Sequence, residues 1–144
     1  MEEFRTEIEI NAKPERVWEI LVEFDRYPIW NPFIRQIRGR AETGSQLEIF
    51  LEYPGGKIIK FMPRVTISNP NNELRWFWKF FVPRLFEGEH IFTIKILDKE
   101  NVLFIQKELL NGILVPLFGK IFFAKTKSGF EEMNIALKER AETS

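Results

Sequence analysis

His90 is the only histidine in the chain, and it lies in a segment rich in aromatic residues, with Glu108 one predicted strand later. If the segment Leu74–Gly112 forms three antiparallel strands, alternation turns both side chains to the face that also carries Trp76, Trp78, Phe92 and Phe104. An imidazole and a carboxylate among large aromatic rings are costly to bury unless each finds a partner or shifts its pKa. The pattern therefore predicts the wall of a ligand pocket rather than a plain core.

The register of the last hairpin decides whether His90 and Glu108 can meet. A three-residue turn at Asp98–Glu100 would place them nearly opposite each other, whereas a two-residue turn would place them on opposite faces. Adjacent, they could act as general acid and base, or they could fasten two strands at the mouth of a pocket. We favour a strand clasp or a ligand contact over proton transfer, so we assign no catalytic residue. If the protein is an enzyme, His90 and Glu108 are the candidates for its acid and base.

Composition excludes several classes of function. The 144 residues suit one domain, 1–144, and 21 basic residues balance 21 acidic ones, which disfavours nucleic acid and anionic membranes as partners. Cysteine is absent and histidine occurs once, so we expect no disulfide, no metal and no cofactor. The acidic start lacks the features of a signal peptide, and the apolar stretch Leu109–Gly119 is too short to cross about 30 Å of hydrocarbon. We expect a cytoplasmic protein without membrane insertion.

Several catalytic motifs are missing from the sequence. It contains no P-loop, no glycine-rich dinucleotide fingerprint, no GxSxG elbow and no HExxH pair. Phosphate cradling, nicotinamide binding, triad hydrolysis and zinc catalysis therefore lack their minimum parts.

The patterning along the chain predicts the elements that position these residues. Alternation over Phe4–Ile10 predicts a strand, and Pro14 marks the start of a short helix that is followed by a second helical turn. Six strands follow, separated by turns at Gly39–Ser45, Pro54–Gly56, Asn69–Asn72 and Asp98–Asn101. Beyond Pro116 the spacing predicts a helix of roughly 24 residues, in which Gly119 and Gly129 could allow close approach to the sheet.

This order predicts an α+β fold with a curved antiparallel sheet of about seven strands wrapped around a long C-terminal helix, and two short helices between strands 1 and 2. The sheet and the helix can enclose a void lined by apolar side chains. Such a void suits a lipid-like or aromatic ligand.

Four segments resemble the polyketide cyclase/dehydrase-like branch of the START (SRPBCC) superfamily, whose helix-grip fold is shared with birch pollen allergen. They are Trp30–Phe33, the Trp76 strand, Gly88-x-His90-x-Phe92 and Glu108-x-x-x-Gly112. The resemblance implies a ligand held between the sheet and the last helix. It extends the predicted ligand-binding set to Phe61, Trp76, Trp78, His90, Phe92, Phe104, Glu108, Phe118 and Phe122.

Three functions remain open at this point. The first is binding of a hydrophobic or aromatic small molecule in that cavity, with His90 and Glu108 at its polar end. The second is a cyclase or dehydratase that uses this pair. The third is an interaction module, such as a co-chaperone related to the activators of the Hsp90 ATPase; it rests on Phe77 and Phe81, which share the outer parity with Lys79 and could equally form a homodimer surface.

Overall fold

The computed structural model describes residues 2–80 and 84–143. The first part runs β1 (Glu2–Ile10), α1 (Pro14–Val22), a 3-10 turn (Phe24–Arg26), α2 (Tyr27–Trp30), β2 (Ile34–Arg38), β3 (Glu48–Glu52) and β4 (Ile58–Phe61). The second part runs β5 (Arg64–Asn69), β6 (Glu73–Phe80), β7 (Phe86–Asp98), β8 (Asn101–Asn111) and α3 (Val115–Glu142).

The strands form two antiparallel sheets. One has five strands in the order β1-β8-β7-β6-β5, and the other has three in the order β2-β3-β4. Backbone hydrogen bonds continue one sheet into the other, since Leu47 N–H donates to the Pro63 carbonyl at 2.8 Å and Val65 N–H donates to the Ser45 carbonyl at 2.9 Å. The α+β helix-grip fold expected from the sequence is confirmed, with two short helices after β1 and one long helix at the end.

The strand count differs from the prediction by one. The segment between the turns Pro54–Gly56 and Asn69–Asn72 was predicted as one strand but is split into β4 and β5, which end and begin on either side of Met62 and Pro63. Proline has no N–H to give to a sheet ladder, so the chain leaves one sheet there and enters the other. The described residues therefore hold eight strands instead of about seven, and α3 has 28 residues instead of roughly 24.

The helix α3 packs on the inner face of the curved sheet. Its Met133 and Leu137 are fully buried, and its neighbour across the interface is Phe33, just before β2. A Cβ on Gly129 would lie 2.3 Å from Cδ1 of Phe33, so the phenylalanine ring rests directly on the helix backbone. The close approach expected at Gly129 is therefore present.

The hairpin between β7 and β8 sets the register of the candidate pair. Only two residues separate Asp98 from its partner Asn101, yet His90 lies opposite Glu108. A register shift between Ile96 and Asp98 supplies the explanation, because the extra residue of a β-bulge restores the parity that a two-residue turn would otherwise lose. The prediction that a two-residue turn would separate the pair is therefore wrong.

Candidate ligand-binding site

His90 on β7 and Glu108 on β8 lie directly opposite each other on adjacent strands, but each forms its hydrogen bond with another residue. The His90 Nε2 and Gln106 Oε1 atoms are 2.8 Å apart, whereas Glu108 Oε1 accepts a hydrogen bond from Trp78 Nε1 at 2.7 Å. No hydrogen bond joins His90 to Glu108 in the part of the chain that is described. Both side chains are buried, but the rings near His90 are fully buried whereas Trp78, Phe86 and Phe122, near Glu108, are only half-buried. We call the part of the inner face around His90 the closed end and the part around Glu108 the open end.

A chain of hydrogen bonds crosses the closed end from sheet to helix. Gln106 Nε2 donates to Asn134 Oδ1 on α3 at 2.8 Å, and Asn134 Nδ2 donates to Thr6 Oγ1 on β1 at 3.0 Å. With the Gln106 amide so oriented, its Oε1 must accept, which assigns the donated proton to His90 Nε2. The histidine therefore donates from Nε2 at the end of this network.

The surroundings of His90 keep it neutral. Burial lowers its pKa to about 3, although the hydrogen bond to Gln106 works in the opposite direction. The imidazole stacks on Phe92 at 4.3 Å and lies 4.9 Å from the Phe130 ring. The His90 imidazole therefore stays neutral near pH 7 and does not take up a second proton there.

Aromatic rings fill the rest of the closed end. Trp76, Phe92 and Phe104 have no exposed surface, and their ring centroids follow one another at 5.0 and 6.0 Å. Trp76 Nε1 has no hydrogen-bond partner, and the indole meets the His90 ring edge-on at 5.3 Å. These residues form packed core, and their predicted role as ligand contacts stays a prediction.

At the open end, a glycine lets one side chain cross a whole strand. A Cβ on Gly88 of β7 would lie 2.5 Å from Cζ2 of Trp78, so the indole of this β6 residue rests on the glycine backbone. It thereby reaches Glu108 on β8, two strands away. A glycine inside a strand often marks such close passage, and this was the signal in the sequence.

Glu108 is buried with only one of its oxygens satisfied. Its exposed fraction is 3 %, and Oε2 has no hydrogen-bond partner. Burial raises the pKa of Glu108 to about 8; the Trp78 hydrogen bond opposes the shift and the negative charge of Glu89 adds to it. Because Oε1 accepts from the indole, the proton of the neutral acid resides on Oε2, which is thus a donor without an acceptor.

Tyr53, which the sequence did not single out, belongs to the same end. It follows β3, and its ring meets Phe33 edge-on at 5.7 Å. Burial and the nearby charge of Glu108 raise the pKa of its phenol to about 12. The only sequence signal for Tyr53 is an aromatic residue directly before the turn Pro54–Gly56. That signal does not indicate that Tyr53 lies near Glu108 on β8.

Half-buried aromatic rings pack around Trp78, the hydrogen-bond partner of Glu108. Trp78 lies 5.5 Å from both Phe86 and Phe122, and those two rings are 5.8 Å apart. Phe118, one turn earlier on α3, is 45 % exposed. Phe61 is partly buried on β4 and packs against the core. Of the nine predicted ligand residues, Trp78, Glu108 and Phe122 therefore come together.

The outer face of the sheet carries the predicted interaction patch of Phe77 and Phe81. Phe77 is half-buried beside a depression of about 180 Å³ that also borders Glu89 and Leu109. Phe81, the other residue of the predicted interaction patch, lies outside the described residues. Within residues 2–80 and 84–143, no three histidine, cysteine or acidic side chains cluster as a metal site, and no helix has the length and apolarity that crossing a membrane requires.

The fold and the aromatic open end define a helix-grip protein of the START class. Residues 1–91 match the family model described as polyketide cyclase/dehydrase and lipid transport, and the chain belongs to this family. The matched part includes His90 but ends before Glu108. A comparison with curated proteins gives no match.

Solved structures with the same fold include bacterial and plant proteins. A START superfamily protein from Mycobacterium smegmatis is 23% identical with a TM-score of 0.76, and the alignment covers 97% of each chain. The Zhui aromatase/cyclase from Streptomyces sp. R1128 is 15% identical with a TM-score of 0.74, over 98% of this chain and 93% of that one. A norcoclaurine synthase mutant from Thalictrum flavum, in complex with a transition-state analogue, is 9% identical with a TM-score of 0.74, over 97% and 93%.

Proposed function

We propose that this protein binds a hydrophobic small molecule carrying a carbonyl or hydroxyl oxygen, at the open end of the grip. The observation that carries the proposal is Glu108, a buried carboxyl group whose Oε2 has no partner. A buried polar atom left unpaired costs about 1–3 kcal/mol, which an accepting ligand atom would recover.

The chemistry of the walls supports the class of ligand. Trp78, Phe86 and Phe122 present half-buried ring surface, which favours an apolar or aromatic body. With its pKa near 8, Glu108 is mostly uncharged at neutral pH and donates from Oε2. A carbonyl or hydroxyl oxygen fits such a donor, whereas an anion would meet the partly ionised carboxylate.

Two matched probes test the polar contact. We expect 2-acetylnaphthalene to bind more tightly than 2-ethylnaphthalene at pH 6, by roughly 3- to 10-fold, because only the ketone accepts a hydrogen bond. The preference should fall as the pH rises through about 8, where Glu108 ionises. In Glu108→Gln the preference should no longer depend on pH, since the amide does not titrate.

A second pair of variants tests the apolar wall. Phe122→Ala should weaken both probes, because this ring faces Trp78 and Phe86. Phe50→Ala is the control, since Phe50 is half-buried on the three-stranded sheet with Arg38 over its ring. Equal affinities in wild type and Phe122→Ala, or equal binding of the two naphthalenes at pH 6, would contradict the proposal.

One observation favours an enzyme as the second candidate. A buried carboxyl group with a pKa near 8 can give up and regain a proton near neutral pH, as cyclisation or dehydration of a poly-β-ketone requires. Glu108 alone would serve, because Gln106 engages His90 Nε2. Product formation from a poly-β-ketone mimic, lost in Glu108→Gln and retained in His90→Phe, would support this function; no rate above the uncatalysed reaction would rule it out for that substrate.

A further inference from the structure

The first half of α3 turns apolar side chains toward solvent. Leu117 is 66 % exposed, and Ile121, one turn later, is 55 % exposed. Ala124 continues the same row at about 100° per residue and is exposed as well. A surface helix normally places charged or polar residues at such positions. We call Leu117, Ile121 and Ala124 the outer row of α3.

Two neighbouring side chains extend the exposed apolar surface. Ile113, just before α3, is exposed, and Phe118 follows Leu117 on the helix. Phe118 also lies one turn before Phe122, whose ring packs on Trp78 at the open end. Single exposed apolar residues are ordinary, but a group of them on one surface indicates an interaction site.

The charges around the outer row have one sign. Lys120, Lys125 and Lys127 are exposed, and the segment Leu109–Phe130 contains no aspartate or glutamate. Lys120 and Lys127 fall on one side of the outer row and Lys125 falls on the other. The ion pairs of lysines within the described residues involve other positions, so these three charges are unpaired. The chain as a whole is neutral, but this face is positive.

The second half of the same helix lacks this combination. Glu131, Glu132 and Glu139 are exposed there, and Ile135 lies among them. Carboxylates repel an anionic surface, whereas the three lysines attract one. The positive apolar face is therefore confined to the first half of α3.

We propose that the outer row of α3 docks on an anionic lipid surface, with Leu117, Ile121 and Phe118 among the upper acyl chains and the three lysines at the lipid phosphates. An apolar stripe bordered by lysines is the pattern of helices that lie in the plane of a membrane interface. A second copy of this chain would set lysines against lysines, which disfavours a symmetric dimer through this face. The docking is shallow and reversible, and it needs no spanning segment.

A single cysteine carrying the dye NBD tests the apolar contact, because the chain has no cysteine of its own. In Ile121→Cys the dye should brighten at least about 2-fold with phosphatidylcholine vesicles that contain roughly 30 % phosphatidylglycerol, because it enters a drier layer. Ile96→Cys is the matched control, since Ile96 is 58 % exposed on β7. Its partner Val102 precedes Asn111 by nine residues, or about 30 Å of strand, so this dye should not respond.

Sedimentation with the same vesicles tests the charges and the apolar row separately. Lys120→Gln/Lys127→Gln should weaken binding at least about 10-fold, because each lysine near an anionic surface contributes about 5-fold. Leu117→Gln/Ile121→Gln should weaken it by at least about 10-fold as well, since two apolar side chains no longer enter the interface. Lys95→Gln/Lys99→Gln is the control, because both lysines are exposed near Ile96, and it should bind like wild type.

Four outcomes would overturn the proposal: no binding to the anionic vesicles, equal binding to pure phosphatidylcholine vesicles, equal losses in the lysine control, or wild-type binding by Leu117→Gln/Ile121→Gln. A wild-type dimer that becomes monomeric in this last variant, without vesicle binding, would identify a second copy as the occupant. Binding of the naphthalene probes, measured without vesicles, should be unchanged in Lys120→Gln/Lys127→Gln. A failure of docking is thereby distinguished from a failure of the proposed ligand site.

Discussion

The closed and open ends of the inner sheet face are built from the same strands but treat buried polar groups differently. At the closed end, His90, Gln106, Asn134 and Thr6 form a continuous chain of hydrogen bonds. At the open end, Glu108 has one satisfied oxygen and one without a partner. The unpaired Trp76 Nε1 at the closed end is enclosed by fully buried rings, whereas the unpaired Glu108 Oε2 belongs to a group with half-buried rings, a setting that favours a ligand.

The aromatic side chains follow the same division. Trp76, Phe92 and Phe104 are fully buried, but Trp78, Phe86 and Phe122 keep part of their surface exposed. Trp76 and Trp78 share their parity on β6, and Phe92 and Phe86 share theirs on β7. Alternation therefore reports which face a strand residue is on and not how tightly that face is packed. Pairs of variants, one at each end, test whether the two ends differ in this way.

The largest contrast should come from truncating one ring at each end. Phe92→Ala should lower the free energy of unfolding by about 3–5 kcal/mol, because it leaves a cavity in packed core. Phe122→Ala should cost clearly less, since its ring is already partly solvated, while it should weaken probe binding more. Urea unfolding and titration with 2-ethylnaphthalene measure both quantities, and equal stability losses would remove the distinction between the ends.

The network at the closed end should be nearly as sensitive. Gln106→Leu removes the acceptor of His90 Nε2 and the donor to Asn134 Oδ1, which leaves two buried polar atoms unpaired. At about 1–3 kcal/mol for each, the stability loss should reach roughly 2–6 kcal/mol in urea unfolding. Gln46→Leu is the control, because the Gln46 side chain is exposed and donates only a long bond of 3.5 Å to Met62. A loss no larger than that of the control would show that the network contributes nothing to stability.

The pH dependence of stability should separate the two ends by sign. Folding raises the pKa of Glu108 from 4.5 to about 8, so the native state binds the extra proton between these values and stability falls as pH rises. Folding lowers the pKa of His90 from 6.5 to about 3, so stability falls as pH drops through that window. The two slopes oppose each other between pH 4.5 and 6.5, where we expect a plateau.

Of these two groups Glu108 dominates above the plateau, and stability should fall by roughly 1 kcal/mol per pH unit between pH 6.5 and 8, because the protonated fraction of Glu108 declines toward one half at pH 8. Glu108→Gln should lack this slope and keep the acid one. Urea unfolding at pH 5, 6.5 and 8 makes the comparison. An identical alkaline slope in wild type and Glu108→Gln would show that the carboxyl group is not neutral in the native state.

The sequence predicts the fold well because its signals are local. Alternation, the turn residues and Pro14 place nearly every strand and the first helix, and Gly129 indicates the close contact of α3 with the sheet. The one strand boundary that was missed, at Pro63, carries a local signal as well. The fold class can therefore be predicted from periodicities in the amino-acid sequence alone.

The site is less accessible from the sequence because its contacts are diagonal. Pairing across strands correctly brings His90 opposite Glu108, yet each side chain bonds to a residue that is not its direct partner. Trp78 reaches Glu108 only because Gly88 has no side chain, and Tyr53 arrives from the other sheet. Such contacts depend on rotamers and on sheet curvature, which alternation does not encode.

The smallest effect we predict tests the link between Trp78 and Glu108. Trp78→Phe keeps a ring over Gly88 but removes the indole N–H, which currently lowers the pKa of Glu108 against the effect of burial. The pKa of Glu108 should therefore rise further above 8, and stability should fall by about 1 kcal/mol for the lost hydrogen bond. Titration of the 13C-labelled side-chain carboxyl by NMR measures the shift, and Trp18→Phe is the control because Trp18 lies on α1. If the Glu108 pKa moved equally in both variants or fell in Trp78→Phe, Trp78 would be a neighbour that leaves the ionisation of the acid unchanged, and the open end would lose the residue that orients it.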